Sequence, residues 1–77
     1  MRHLDFQLTG DYVELCNLLK LAGLADSGGQ GKALVASGVV SVDGRPENRK
    51  TAKIRAGQRV ECADVCIRVS GPDPAIT

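Results

Sequence analysis

A chain of 77 residues, 43% of them hydrophobic, has room for one small domain and is too short to build a deep catalytic cleft. Its formal net charge of +1 conceals an uneven distribution, because residues 32–59 carry a net charge of +5 and the remainder carries −4. There is no run of about 18 apolar residues, which a membrane span needs, and no signal-peptide pattern at the start. We therefore expect a cytoplasmic protein with a polyanionic partner and no membrane association.

Catalytic and metal-binding residues are scarce. The three cysteines are an odd number, which favours reduced thiols over a disulfide framework. Cys62 and Cys66 form a single C-x3-C pair, and His3 is the only histidine, whereas a zinc site normally has four ligands. No Cys-His or Ser-His-Asp set is available for nucleophilic catalysis. We expect no enzymatic activity, no metal, no cofactor and no small-molecule substrate.

The chain begins with a predicted strand. Leu4, Phe6 and Leu8 alternate with polar residues, which is the period of a half-buried strand, and Gly10 ends the run. Residues 1–10 are therefore predicted to form an N-terminal strand or arm, ahead of a single domain at residues 11–70.

A first helix is predicted from about Tyr12 to Ala22. Asp11 and Glu14 have the spacing of a capping box, and apolar residues at positions 15, 18, 19 and 22 form one stripe. Gly23 is expected to act as the C-cap.

A second helix is predicted from Ser27, with Gln30 as its capping-box partner, to about Ser37. The glycines at positions 28, 29 and 31 would each weaken a helix interior by roughly 1 kcal/mol relative to alanine, so helix propensity does not explain them. Free N–H groups at this helix start, glycines that permit close approach and the nearby Lys32 would suit a phosphate oxygen. The run ending in Gly31-Lys32 does not complete a P-loop, since Asp26 and Ala33 break that pattern.

Two hairpins are predicted in the second half. Residues 39–42 form a strand, Asp43-Gly44 is a two-residue turn, and Pro46 makes the return strand short and places it at an edge. Residues 49–53 are then expected to be a loop that exposes its charges.

The second hairpin has its turn at Ala63-Asp64, which pairs Cys62 with Val65, Val60 with Ile67 and Glu61 with Cys66. Cys62 is then a core residue and Cys66 a surface residue, while Arg59 and Arg68 lie opposite each other in a local charge cluster with Glu61. Residues 71–77 are expected to be disordered.

The chain has two aromatic residues, Phe6 and Tyr12. Phe6 is expected in the core. Tyr12 is either a surface contact or, as we favour for a first helical turn, a packing residue. Because few rings are available for stacking on bases, we expect a structured RNA held through its backbone.

The order of these elements resembles a known family. Residues 19–25 fit Leu-x-x-x-Gly-Leu-Ala, residues 38–44 fit Gly-x-Val-x-Val-Asn-Gly apart from Asp43, and residues 53–60 resemble Lys-Val-x-x-Gly-Asp-x-Ile. The chain is similar in this way, over about residues 12–69, to the RNA-binding domain first seen in ribosomal protein S-four, the alpha-L RNA-binding motif. It looks most like the small stand-alone bacterial members, the YbcJ-like group. The resemblance implies an α+β fold with two short helices packed against a small, mostly antiparallel sheet.

The resemblance also implies an RNA-binding role. Gly28 stands where many members have an arginine, so the contacts are expected to shift to other cations. The predicted RNA-binding residues are Lys32, Arg45, Arg49, Lys50, Lys53 and Arg55. We expect the helix start and the 45–55 segment to converge in space on duplex or folded RNA, for instance ribosomal or tRNA-like RNA, with the protein as a monomer. The alternative is a protein-interaction module that docks a ribosome-associated partner through the same face.

Overall fold

The computed structural model describes residues 2–71, and the predicted disordered tail lies, apart from Gly71, outside this range. The elements in chain order are β1 (Arg2–Gln7), β2 (Val13–Glu14), α1 (Leu15–Leu21), α2 (Gly28–Ala36), β3 (Val40–Val42), β4 (Arg45–Pro46), β5 (Lys53–Ile54), β6 (Arg59–Cys62) and β7 (Val65–Ser70). None of the helices in residues 2–71 is long and apolar enough to cross a membrane.

Five strands form one sheet in the order β1-β7-β6-β3-β4, and β2 and β5 form a separate two-stranded ladder. β1 runs parallel to β7, and the other strand pairs are antiparallel. The predicted α+β fold with two short helices and a mostly antiparallel sheet is therefore confirmed. β1 belongs to the same sheet as the two hairpins.

One hydrophobic core joins the helices to the sheet. It is built from alternate residues of the strands and from the inner stripe of α1, which contributes Leu15, Leu18 and Leu19. Burial of a leucine of this kind contributes about 1.5–3 kcal/mol. The largest fully buried side chains are Leu15, Leu18, Leu19, Val35, Val40, Ile54, Val60 and Ile67.

Both hairpins have the predicted turns, and the second has the predicted register. Asp43 and Gly44 have φ angles of 53° and 83°, as a two-residue turn with left-handed central residues requires. The pairs Cys62 with Val65, Val60 with Ile67, and Glu61 with Cys66 are all present.

The predicted surface position of Cys66 is wrong, because this residue is only 2% exposed. Its strand β7 lies between β6 and β1, so that Glu61 flanks Cys66 on one side and His3 on the other. In an isolated hairpin of β6 and β7, the side of Cys66 that faces away from β6 would be exposed to solvent. In this fold the parallel strand β1 covers that side.

The second helix has the predicted boundaries. The Ser27 hydroxyl oxygen accepts a hydrogen bond of 3.2 Å from the backbone N–H of Gln30, and the Gln30 side-chain oxygen accepts one from the N–H of Asp26. The capping interaction is therefore confirmed, with the returning bond one residue earlier than in the standard capping box.

The first helix ends as predicted. Gly23 has a φ of +84°, its N–H donates to the Lys20 carbonyl, and the Leu24 N–H donates to the Leu19 carbonyl. These two bonds form a Schellman motif, in which a left-handed glycine closes the last turn.

The predicted start of this helix at Tyr12 is wrong. The helix begins at Leu15, because Val13 and Glu14 form β2 and pair with Ile54 and Lys53 of β5. The predicted loop at 49–53 is therefore wrong at its last residue, because Lys53 belongs to β5. Asp11 does not cap α1, since the residue at the N-cap position is Glu14, whose side chain makes no capping hydrogen bond.

Backbone carbonyls replace the missing cap. The Leu15 N–H donates to the Ala52 carbonyl at 2.9 Å, and the Cys16 N–H donates to the Lys50 carbonyl at 3.0 Å. The first N–H groups of a helix have no partners inside the helix. Lys50 and Ala52 supply carbonyl partners for two of these N–H groups. The stretch at residues 50–52 is thereby attached to α1 through its main chain.

Candidate nucleic-acid interface

All six predicted RNA-binding side chains are exposed. They occupy α2 (Lys32), β4 (Arg45), the connection between β4 and β5 (Arg49 and Lys50), β5 (Lys53) and the position after it (Arg55). We call the segment from Arg49 to Arg55 the basic segment. Its contribution to RNA binding stays a prediction.

Cys16 connects the basic segment to the start of α2. Its N–H donates to the Lys50 carbonyl, and its own carbonyl group packs against Gly31, the residue before Lys32. A Cβ on residue 31 would overlap the Cys16 carbonyl oxygen and would stand 3.2 Å from its carbonyl carbon. The main chain therefore brings α2 and the basic segment against the same residue of α1.

This contact changes the interpretation of the three glycines. The expectation that glycine permits close approach is correct at Gly31, but the group that approaches is the backbone of α1 and not a phosphate. Gly28 has open space around its missing Cβ, and a Cβ on Gly29 would meet only the Ser27 hydroxyl at 3.8 Å. The helix start is thus open to solvent at positions 28 and 29, where a phosphate contact stays a prediction.

Arg49 is held by a neighbouring carboxylate. The Glu47 Oε2 atom accepts hydrogen bonds from the Arg49 backbone N–H at 3.0 Å and from its Nε at 3.1 Å. The Arg49 side chain is nevertheless 78% exposed, against 19% for Glu47. Hydrogen bonds from Arg49 lower the pKa of the Glu47 carboxyl, and the same pairing raises the pKa of the guanidinium. Glu47 therefore competes with any other anion for Arg49.

The remaining predicted cations have no carboxylate oxygen within 4.0 Å in the part of the chain that the structure describes. Arg49 and Lys53 line one shallow depression with Thr51 and Ala52. Arg45 lines a different depression, shared with Asp43 and Glu47. Asp43 and Glu47 thus lie near Arg45, and Glu47 also pairs with Arg49 of the basic segment.

Tyr12 also lies at this surface, so the favoured interpretation of this residue as a packing residue in a first helical turn is wrong. It is not among the predicted RNA-binding residues. Its ring is exposed, the Lys53 ammonium lies 5.0 Å from the ring centroid, and the Arg55 guanidinium carbon lies 5.8 Å from it. These are cation–π distances. The sequence signal is only the weak strand preference of Tyr12 and Val13, which does not distinguish a two-residue strand from the first turn of a helix.

The opposite face of the sheet carries a second group of charges. Arg59 and Arg68 are directly paired across β6 and β7, as predicted, and they line one depression with His3 and Glu61. Neither arginine makes an ion pair with Glu61 within residues 2–71. In the same range, no group of three or more His, Cys, Asp or Glu side chains is placed to hold a metal ion.

Comparison with known proteins identifies relatives of this chain. The family model described as the S4 domain matches residues 6–70. The YbcJ proteins of Escherichia coli (strain K12) and Shigella flexneri are each 52% identical over 58 residues, which cover 75% of this chain and 83% of the relative.

A solved structure is also similar. The solution structure of Escherichia coli YbcJ superposes with a TM-score of 0.65 at 44% identity and covers 91% of this chain and 87% of that one. That structure is described as revealing an alpha-L motif involved in RNA binding. The family match, the relatives and the shared fold agree with the resemblance found in the sequence, and the chain belongs to the S4 domain family.

Proposed function

We propose that this protein is a non-catalytic RNA-binding protein that holds structured or double-stranded RNA through its backbone phosphates. The proposed contacts are Lys32, Arg45, Arg49, Lys50, Lys53 and Arg55. The observation that carries the proposal is the attachment of the basic segment to the start of α1, through the main-chain bonds from Leu15 and Cys16. The description of the YbcJ structure as an RNA-binding motif gives independent support.

Phosphate recognition follows from the chemistry of this surface. Lysine and arginine side chains that lack carboxylate partners gain most from a polyanion, because binding releases the counterions that RNA otherwise retains. Contacts to phosphates carry little sequence information, so base identity should contribute little to affinity. For about four to six phosphate contacts, log affinity should fall with log salt concentration with a slope of roughly −3 to −5.

A charge-reversal experiment tests the site. Arg49→Glu combined with Lys50→Glu should abolish retention of a folded RNA in a filter-binding assay. A matched control is Arg59→Glu combined with Arg68→Glu, which changes the net charge equally on the outer face of the sheet. The control should bind as the wild type does, with circular dichroism verifying that both variants fold. Unchanged binding by the first variant would refute the site.

Heparin competition separates RNA binding from docking of a partner protein. A protein whose basic surface is built for folded RNA should retain that RNA on the filter at heparin concentrations that displace RNA from a non-specific basic surface, and its affinity should have the salt dependence given above. An affinity for RNA that does not change with salt would contradict the proposal.

The proposed setting is the bacterial cytoplasm, with the protein acting as a monomer on ribosomal or tRNA-like RNA. Sequencing of the RNA that copurifies with the tagged protein tests this identity, and gel filtration with light scattering tests the monomer. Enrichment of messenger RNA alone would refute the ribosomal and tRNA-like assignment.

A further inference from the structure

The short ladder of β2 and β5 has one buried and one exposed face. Val13 and Ile54 pair with each other and face the core, as the alternation of side chains along a strand requires. The residues on either side of them, Tyr12, Glu14, Lys53 and Arg55, are all exposed. The register places Glu14 opposite Lys53, and by extension Tyr12 stands opposite Arg55.

Tyr12 presents an aromatic ring at the surface. The residue is 42% exposed, and the other aromatic residue of the chain, Phe6, is half-buried against the core. A ring at the surface contributes little to the core and is accessible to a ligand. Lys53 and Arg55 lie beside it at 5.0 and 5.8 Å from the ring centroid.

There is also free space next to the ring. Tyr12 forms one wall of an open groove whose other walls include Phe6, Leu21 and Asn17. Leu21 is itself exposed, and the Asn17 side chain provides both a donor and an acceptor. The groove thus combines apolar surface with the Asn17 amide and the Glu14 carboxylate, and such polar groups can pair with the edges of a flat heterocycle.

We propose that Tyr12, Lys53 and Arg55 bind an unpaired nucleotide of the RNA, with the base stacked on the Tyr12 ring and the adjacent phosphates on the two cations. A base inside a duplex is already stacked on its neighbours, whereas a bulged or looped base can be splayed out onto an aromatic side chain. Lys53 and Arg55 would turn from the ring toward the phosphates, which frees the ring for the base. This inference rests on the proposed function and narrows the ligand to a structured RNA that contains an unpaired nucleotide.

Two RNA hairpins test the inference with the wild-type protein. In both, a non-nucleotide linker replaces the loop, and they are identical except that one carries a single bulged 2-aminopurine, a fluorescent base that is quenched when it stacks. We expect the bulged hairpin to bind about fivefold to a hundredfold more tightly, as expected for stacking of one base on one aromatic side chain. Binding should also quench the fluorescence.

Two variants assign the effect to the ring. Tyr12→Phe keeps the aromatic face and should keep both the preference for the bulge and the quenching. Tyr12→Leu should lose both, and the readout is the ratio of its affinities for the two hairpins, in which any loss common to both hairpins cancels.

The possible failures are distinguishable. Equal wild-type affinity for the two hairpins, with the expected salt dependence, would overturn this inference and leave the proposed function in place. A Tyr12→Leu variant that weakens both hairpins equally would also overturn it, because the ring would then only orient the cations. Binding to neither hairpin would refute the proposed function together with the inference.

Discussion

The backbone of Cys16 on α1 is in direct contact with Gly31 on α2. The Cys16 carbonyl carbon and Cα lie 3.2 and 3.3 Å from the position that a Cβ on residue 31 would take. Both neighbours are main-chain atoms in the first turn of a helix, which cannot move aside as the end of a flexible side chain can. Glycine at position 31 therefore sets how closely the two helices approach.

Replacement of Gly31 by alanine should destabilise the protein. Alanine is the better helix former by about 1 kcal/mol, but an added methyl group in a filled contact costs typically 1–3 kcal/mol. Since the clash is with backbone, the cost should exceed the gain, and we expect a net loss of about 1–2 kcal/mol in urea unfolding.

Gly29→Ala is the matched control for this experiment, because it adds the same methyl group in the same helix. Its Cβ would meet only the Ser27 hydroxyl, at an ordinary contact distance of 3.8 Å. This variant should be more stable than the wild type by about 0.5 kcal/mol, since alanine restricts the unfolded chain. A Gly31→Ala variant as stable as Gly29→Ala would show that the helices separate without cost.

Glu47→Gln should strengthen RNA binding. The Glu47 carboxylate accepts hydrogen bonds from Arg49 and so competes with phosphate for it. Loss of that charge should lower the dissociation constant for a folded RNA by about two- to fivefold, within the range typical of one exposed ion pair. Asp5→Asn is the control, because it removes the same charge from β1, away from the basic segment. Weaker binding by Glu47→Gln would mean that Glu47 orients Arg49 for RNA.

The Glu47–Arg49 ion pair should weaken at acid pH. Hydrogen bonds from Arg49 lower the pKa of the folded-state Glu47 carboxyl below its ordinary value. The stabilisation is therefore fully present above the ordinary pKa and is lost as the pH falls through the lowered folded-state pKa. Carboxyl-carbon NMR shifts recorded against pH should show a low midpoint for Glu47 that rises in Arg49→Gln. An identical midpoint in the two proteins would show that the pair does not persist in solution.

A cation at position 28 should increase RNA affinity. A Cβ on Gly28 meets nothing within 4 Å, so a side chain can begin at this position without a clash. If the new guanidinium reaches one further phosphate, the slope of log affinity against log salt should steepen by about 0.7–0.9. Gly28→Gln, which adds a neutral side chain at the same place, should leave the slope unchanged. An unchanged slope in the arginine variant would place the start of α2 outside the interface.

The three thiols should not react in the folded protein. Cys16, Cys62 and Cys66 are all buried and free, and burial raises the pKa of the Cys62 thiol. Because the thiolate is the reactive form, a disulfide reagent at neutral pH should label none of them rapidly in the native state and all three in guanidinium chloride. One fast-reacting native thiol, identified by mass spectrometry, would contradict the burial of that residue.

Features that depend on neighbouring residues in the chain could be predicted. The turn at Asp43-Gly44, the register from Arg59 to Val69 and the capping of α2 by Ser27 each rest on residues a few positions apart. The short-range pattern is sufficient there, because a one-residue shift in a hairpin would expose its whole apolar face.

Features that depend on distant segments of the chain could not be predicted from the sequence. Val13 pairs with Ile54, and no local pattern distinguishes a two-residue strand before a helix from the first turn of that helix. The same limitation explains Cys66, whose burial depends on β1, and Tyr12, whose exposed position depends on β5. The candidate RNA-binding residues could be selected from the sequence by their charge. The main-chain bonds that attach the basic segment to α1 are visible only in the folded structure.

The bond from the Cys16 N–H to the Lys50 carbonyl involves no side chain of residue 50. The fold therefore places no demand on the chemical type of that side chain, which projects into solvent. Under the proposed function, we expect substitutions at this position to change RNA affinity at little cost to the stability of the fold. The charge at this point of the surface is therefore free to vary while the main-chain bond that attaches it to α1 stays the same.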